Sequence, residues 1–144
     1  MGSVLEKVQL VKDESARIGA YLKTLKPEAW STKSVCDAWE VQDVVAHLTG
    51  AVERFGPNIV RGAEGDSSAP DGMPQAGVGD MAARLRANAQ VAIDYRESLG
   101  SGLLATYNDG RLKFDEFLSG LQDADRREQL VDLFKRVQDH RPGV

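Results

Sequence analysis

The feature that most constrains the fold is a helical pattern within residues 34–59. From Val41 onward, apolar residues recur at intervals of three, four and seven, as in an amphipathic helix with one buried stripe. They are Val41, Val44, Val45, Leu48, Val52, Phe55 and Ile59. We expect one side of this helix to pack against a first helix that begins near Ser3. The side chains expected to be buried in this contact are Val44, Leu48, Val52 and Phe55.

The same helix carries a histidine at the edge of its apolar stripe. His47 projects about 100° from the centre of the stripe, with Asp43 one turn before it and Arg54 two turns after it. A histidine beside a carboxylate and a guanidinium is either a metal ligand, an acid–base group or a packed side chain without chemistry. The spacing alone favours the packed side chain, because a single histidine is weak evidence of a site.

Length and charge limit the function classes. The 144 residues form one predicted domain, 1–144, with a net charge of −4. No basic patch interleaved with aromatic residues is present, so a nucleic-acid partner is not expected. The first ten residues contain no long apolar run, so neither a signal peptide nor a membrane helix is expected there. The single cysteine, Cys36, excludes an internal disulfide, and the pattern favours a cytoplasmic protein.

The remaining segments also read as helices. Apolar periodicity predicts helices at 3–25, 80–99, 103–121 and 124–140, besides the helix that begins at Val41. Residues 63–79 are rich in Gly, Ser, Pro and Asp, and they predict a long crossover after the second helix. The Asn108-Asp109-Gly110 segment either breaks the fourth helix or lies within it, and the unbroken apolar phase favours a continuous helix. The predicted fold class is therefore an all-α bundle of the four-helix type.

A specific motif lies between Trp30 and Leu48. It contains Trp30, Ser34, Cys36, Trp39, Val41, Asp43, Val44, Val45, Ala46, His47 and Leu48. This motif resembles the N-terminal domain of the mycothiol-dependent maleylpyruvate isomerase family, which is part of the DinB-like helical metalloproteins. The sequence departs from the family at Ala38, where Gly is usual, and at Glu40, where a Thr cap is usual.

The resemblance implies a DinB-like bundle and a metal site. In the family, the histidine at the position of His47 is one of three protein ligands to a divalent metal, zinc or nickel. The other two are a Glu and a His four residues apart on a later helix, and this sequence contains no such pair. The other histidine, His140, lies in a segment that is similar to the loop before the family's ligand helix. We therefore expect an incomplete site, in a domain truncated before that helix or degenerate, and weak metal binding or none.

Other carboxylates are weaker candidates. Glu128 and Asp132 are four residues apart, and with His47 they would make a hard-metal ligand set, although a solvated helix face is the favoured reading. His140 is a further weak candidate. By resemblance, Asp43 and Arg54 either support the metal ligand or anchor an acidic substrate.

Two classes of function follow. The resemblance implies an isomerase or thiol transferase that uses a divalent metal and a mycothiol-like low-molecular-weight thiol on a small-molecule substrate. The alternative is a non-catalytic helical module with an interaction or regulatory role, which the missing Glu-x-x-x-His pair favours.

Overall fold

The computed structural model of the chain describes residues 3–68 and 79–121, together with Glu128 and Asp132. Within these residues the helices are α1 (Val4–Lys23), α2 (Pro27–Trp30), α3 (Val41–Ala63), α4 (Met81–Leu99) and α5 (Leu103–Gly120). The only β-type pairing among them is an isolated bridge between Lys33 and Glu40. The all-α prediction is confirmed. No helix in this part of the chain is long and apolar enough to cross a bilayer.

The start of α1 follows from its first residues. Ser3 is the N-cap: its hydroxyl accepts a hydrogen bond from the Glu6 N–H, and the Glu6 carboxylate accepts one from the Ser3 N–H. The helix ends at Lys23, two residues before the predicted end. Pro27 then begins α2 at a first-turn position, where the missing N–H of proline costs nothing.

The fourth predicted helix is continuous. As α5, it runs through the Asn108-Asp109-Gly110 segment without a break. A short 3-10 turn, Gly100–Gly102, separates it from α4, and Gly100 has a φ of 52°, which glycine adopts without strain. The predicted break between the third and fourth helices is therefore confirmed.

The centre of the described structure is α5. It packs against α1 and α3, and α3 also packs against α4. One buried cluster joins α1, α3 and α5, and it consists of Leu22, Val45, Ala46, Leu103 and Tyr107. Trp30 packs against this cluster. A second cluster joins Val60 of α3 to Phe117 of α5.

The prediction of the buried side of α3 was wrong. Leu48 is 36% exposed and Phe55 is 55% exposed, whereas Val45, Ala46 and Val60 are at most 3% exposed. The buried side is rotated by about 130° from the predicted side. The reason is the arrangement of neighbours: α3 is covered by α4 and α5, while α1 packs on α5 rather than on α3.

The remaining predictions concern the crossover and the last helix. The crossover lies between the end of α3 at Ala63 and the start of α4 at Met81, and residues 69–78 lie outside the described residues. The predicted helix 124–140 also lies outside them, apart from Glu128 and Asp132. These two residues are helical and exposed.

Candidate functional site

The beginning of α3 is fixed by Asp43, which is only 2% exposed. Its Oδ2 accepts a hydrogen bond from the Glu40 N–H at 2.9 Å, so Asp43 caps the helix from its third position. Its Oδ1 accepts a hydrogen bond from Nε of Arg96 on α4 at 2.8 Å. Asp43 therefore orients α3 against α4, and both of its oxygens are already engaged.

Trp39 connects the loop before α3 to residues of both α3 and α4. Its indole ring lies against the imidazole of His47, with 4.9 Å between ring centroids. Its Nε1–H donates a hydrogen bond to the Ala89 carbonyl of α4 at 3.1 Å. The Trp39 carbonyl accepts hydrogen bonds from the N–H and the hydroxyl of Ser34. The indole is thereby held on one face of His47.

A shallow, open cleft lies between α3 and α4, and His47 is half-buried in its wall. The lining residues are Ala46, His47, Gly50, Arg54, Asn88, Val91, Ala92 and Tyr95. Burial, and secondly the positive charge of Arg54, lowers the pKa of His47 below its usual 6.5. The imidazole is therefore neutral near neutral pH, which suits a proton acceptor or a metal ligand.

The polar groups of the cleft divide into engaged and free ones. Tyr95 donates a hydrogen bond from its hydroxyl to the Glu53 carboxylate at 2.7 Å. In contrast, the side chains of His47, Arg54 and Asn88 have no hydrogen-bond partner in the part of the chain that the structure describes. The cleft thus presents a neutral imidazole, a cation and an amide to a ligand.

The predicted metal ligands are not brought together in the described residues. Among residues 3–68, 79–121, Glu128 and Asp132, no cluster of three His, Cys, Asp or Glu side chains is present. Glu128 and Asp132 are exposed, and His140 lies outside the described residues. Cys36 is exposed. The described donor set is a single imidazole, which is too few ligands for a catalytic zinc-type site. The metal role of His47 stays a prediction.

Two polar residues of the cleft were not identified as site residues from the sequence. Asn88 and Tyr95 lie on α4, whose apolar pattern does not indicate which neighbour it packs against. Their place in the site follows from the pairing of α4 with α3, and that pairing is a property of the folded chain.

The geometry agrees with the family comparison. The family described as the mycothiol maleylpyruvate isomerase N-terminal domain matches residues 11–140 of this chain. The chain belongs to this family, and its described helices are those of an all-α, DinB-like domain. No curated protein and no solved structure matches the chain.

Proposed function

We propose that the chain binds a low-molecular-weight thiol and a small electrophile at the α3–α4 cleft. It then catalyses cis–trans isomerisation or thiol transfer, with His47 as the residue that activates the thiol. The observation that carries this proposal is the neutral, half-buried His47, whose ring nitrogens have no partner in the described structure. Membership of the mycothiol maleylpyruvate isomerase family supports a mycothiol-like thiol as the partner.

The chemistry needs one proton acceptor. The neutral imidazole takes the thiol proton, and the thiolate adds to one carbon of a cis C=C bond conjugated to a carbonyl group. The π electron pair moves to the carbonyl oxygen as an enolate, and the former double bond rotates. The enolate then re-forms the C=C bond in the trans arrangement and expels the thiolate, which recovers its proton from the imidazolium. In a transfer reaction, the thiolate instead displaces a leaving group, which takes that proton.

Neighbouring residues position these groups. Trp39 restricts the orientation of the imidazole through a tilted ring contact, since the indole is itself hydrogen-bonded to α4. Asp43 supports His47 indirectly, because it joins the start of α3 to Arg96 of α4. Arg54 adds to the effect of burial in lowering the pKa of His47, and it offers a positive charge to an acidic substrate.

The family resemblance also proposes His47 as a ligand to zinc or nickel. A neutral imidazole fits that role, but the described residues add no second ligand. They do not form a complete metal site, and the steps above use no metal.

The proposal is tested by the thiol-dependent isomerisation of maleylpyruvate, followed by ultraviolet absorbance with mycothiol present or omitted. We expect turnover that requires the thiol, and a loss of about 100-fold or more in His47→Ala, as for removal of a general base. Gln90→Ala, which changes an exposed side chain of α4 outside the cleft, is the control and should retain full activity. Equal activity in the wild type and His47→Ala would contradict the proposal.

A calorimetric titration of the protein with zinc tests whether His47 is a metal ligand. We expect weak binding or none. Tight one-to-one binding in the wild type that is lost in His47→Ala would reassign His47 from proton acceptor to metal ligand.

The second candidate function is a non-catalytic helical module. It is favoured by the finding that residues 3–68 and 79–121, with Glu128 and Asp132, contain no three-residue cluster of metal-ligating types. The absence of any thiol-dependent turnover in the wild type would support this alternative.

A further inference from the structure

We propose that Gly50 determines the size of the ligand that reaches His47, because its missing side chain leaves room for the reacting atoms in the α3–α4 cleft. This inference rests on the proposed function in that those atoms are the thiol sulfur and the carbon that it attacks. The room itself is a property of the two helices and requires neither thiol nor metal.

Gly50 lies between the two polar groups that α3 contributes to the cleft. It follows His47 by three residues and precedes Arg54 by four, so the three residues share one side of the helix. Trp39 lies against the imidazole of His47 and covers part of it. A thiol therefore approaches His47 from the cleft, where Gly50 forms the wall one turn away.

The fold does not require glycine at this position. Gly50 lies within α3 and has no positive φ, so its backbone conformation suits any residue with a side chain. Packing does not exclude a side chain either. A Cβ atom added to Gly50 would lie 3.7 and 3.8 Å from Cδ1 and Cε1 of Tyr95, which is ordinary van der Waals contact. What glycine contributes here is the space in front of it.

That space is bounded by groups that are held in place. The Tyr95 hydroxyl donates a hydrogen bond to the Glu53 carboxylate of α3 at 2.7 Å, which ties the Tyr95 ring to α3 beside Gly50. Ala46 is 1% exposed and Ala92 is 3% exposed, so these small residues close the bottom of the cleft. A side chain at position 50 therefore fills the opening next to His47.

The consequence is a limit on the shape of the ligand. A slim thiol and an electrophile that is unbranched at the attacked carbon fit above a glycine. Substituents next to the sulfur or the attacked carbon compete for the same space. Alanine at position 50 removes part of this space, and valine, which is larger and branched, removes more of it.

The first test measures access to His47 without turnover. The full chain is treated with diethyl pyrocarbonate, which acylates neutral imidazole, and modification of the peptide that contains His47 is followed by mass spectrometry. At about pH 7.5 the lowered pKa of His47 keeps its imidazole neutral. We expect the rate to fall about tenfold or more in Gly50→Val, as for the cost of overpacking, and by a smaller factor in Gly50→Ala.

The control is Gly110→Ala, the same substitution in α5. A Cβ atom at Gly110 finds no atom within 4 Å, and this position lies outside the cleft. Its rate of His47 modification should equal that of the wild type. Both alanine variants should be at least as stable as the wild type in thermal unfolding, because alanine is the better helix former. Thermal unfolding of Gly50→Val shows whether that variant is folded.

The second test is the thiol-dependent isomerisation of maleylpyruvate. We expect kcat/KM with mycothiol to fall about tenfold or more in Gly50→Val and less in Gly50→Ala, whereas Gly110→Ala keeps the wild-type value. The loss should be smaller with 2-mercaptoethanol than with mycothiol, since the smaller thiol needs less of the cleft. A purely structural role of Gly50 would not change the ratio between the two thiols.

Equal rates of His47 modification in the wild type and Gly50→Val would overturn the inference, and so would wild-type turnover that both Gly50 variants retain. Failure of the proposed function gives a different result. In that case the wild type shows no thiol-dependent turnover, while His47 is still modified more slowly in the Gly50 variants than in Gly110→Ala.

Discussion

At the scale of single residues, Asp115 on α5 is a buried carboxyl group with incomplete hydrogen bonding in the described structure. Its Oδ2 accepts a long hydrogen bond of 3.4 Å from the Ser15 hydroxyl of α1, and its Oδ1 is buried without a partner there. Burial raises the pKa of Asp115, although Ser15, Arg111 and Lys12 each lower it. The interface between α1 and α5 therefore contains a carboxyl group that binds a proton more tightly in the folded state than in the unfolded state.

Replacement of this group should change the pH dependence of stability. Because the folded pKa is raised, the protonated Asp115 contributes stability that is fully present below its unfolded pKa. This contribution is lost as the pH rises through the folded value. We expect the free energy of unfolding to fall less between acidic and neutral pH in Asp115→Asn than in the wild type. At neutral pH the variant should be more stable than the wild type. Urea unfolding at several pH values measures both effects.

The control is Asp109→Asn, which removes an exposed carboxylate from the same helix. It should follow the wild-type pH dependence. A wild type that gains stability relative to Asp115→Asn as the pH rises would contradict the expectation.

At the scale of elements, most helix bounds could be predicted because their signals are local. The Ser3 cap, Pro27 and the glycines at 100 and 102 end or begin helices through their own backbone properties. The buried side of α3 could not be predicted, because it depends on which helices cover it. The cleft residues likewise divide into those that the sequence of one helix indicates and those that only helix packing determines. His47 and Arg54 were identified from α3 alone, whereas Asn88 and Tyr95 belong to the site only through packing of α4.

The start of α3 also allows a test at this scale. Asp43→Ala removes the helix cap and leaves Arg96 without its buried partner, so we expect a loss of about 3–5 kcal/mol in the free energy of unfolding. Denaturant unfolding measures it.

The comparison is Asp109→Ala, which breaks an exposed pair with Lys113 and should cost less than about 1 kcal/mol. Equal costs for the two variants would mean that the Asp43–Arg96 pair does not hold α3 against α4.

At the scale of the whole molecule, stability depends on α5, which supplies Phe117 to one cluster and Tyr107 to the other. Phe117 is 1% exposed and Phe55 on α3 is 55% exposed. Truncation to alanine at each position therefore compares the loss of a buried phenylalanine side chain with the loss of an exposed one. We expect Phe117→Ala to cost about 3–5 kcal/mol and Phe55→Ala about 1 kcal/mol or less. Thermal and urea unfolding of both variants measure the difference. A larger cost at Phe55 would show that the Leu48 and Phe55 side of α3 is covered in solution.

The cleft itself is assembled by contacts between distant parts of the chain. The Trp39–Ala89, Glu53–Tyr95 and Asp43–Arg96 hydrogen bonds join residues that are 50, 42 and 53 positions apart. Each closes a loop that includes the crossover, so the site forms only once the entropy of that closure has been offset by packing of α3 on α4. This entropy grows slowly, by about 0.6 kcal/mol for each doubling of loop length. Lengthening of the crossover therefore adds little to the entropic cost of closing these loops, so the cleft should tolerate insertions there better than loss of the contacts that join α3 and α4.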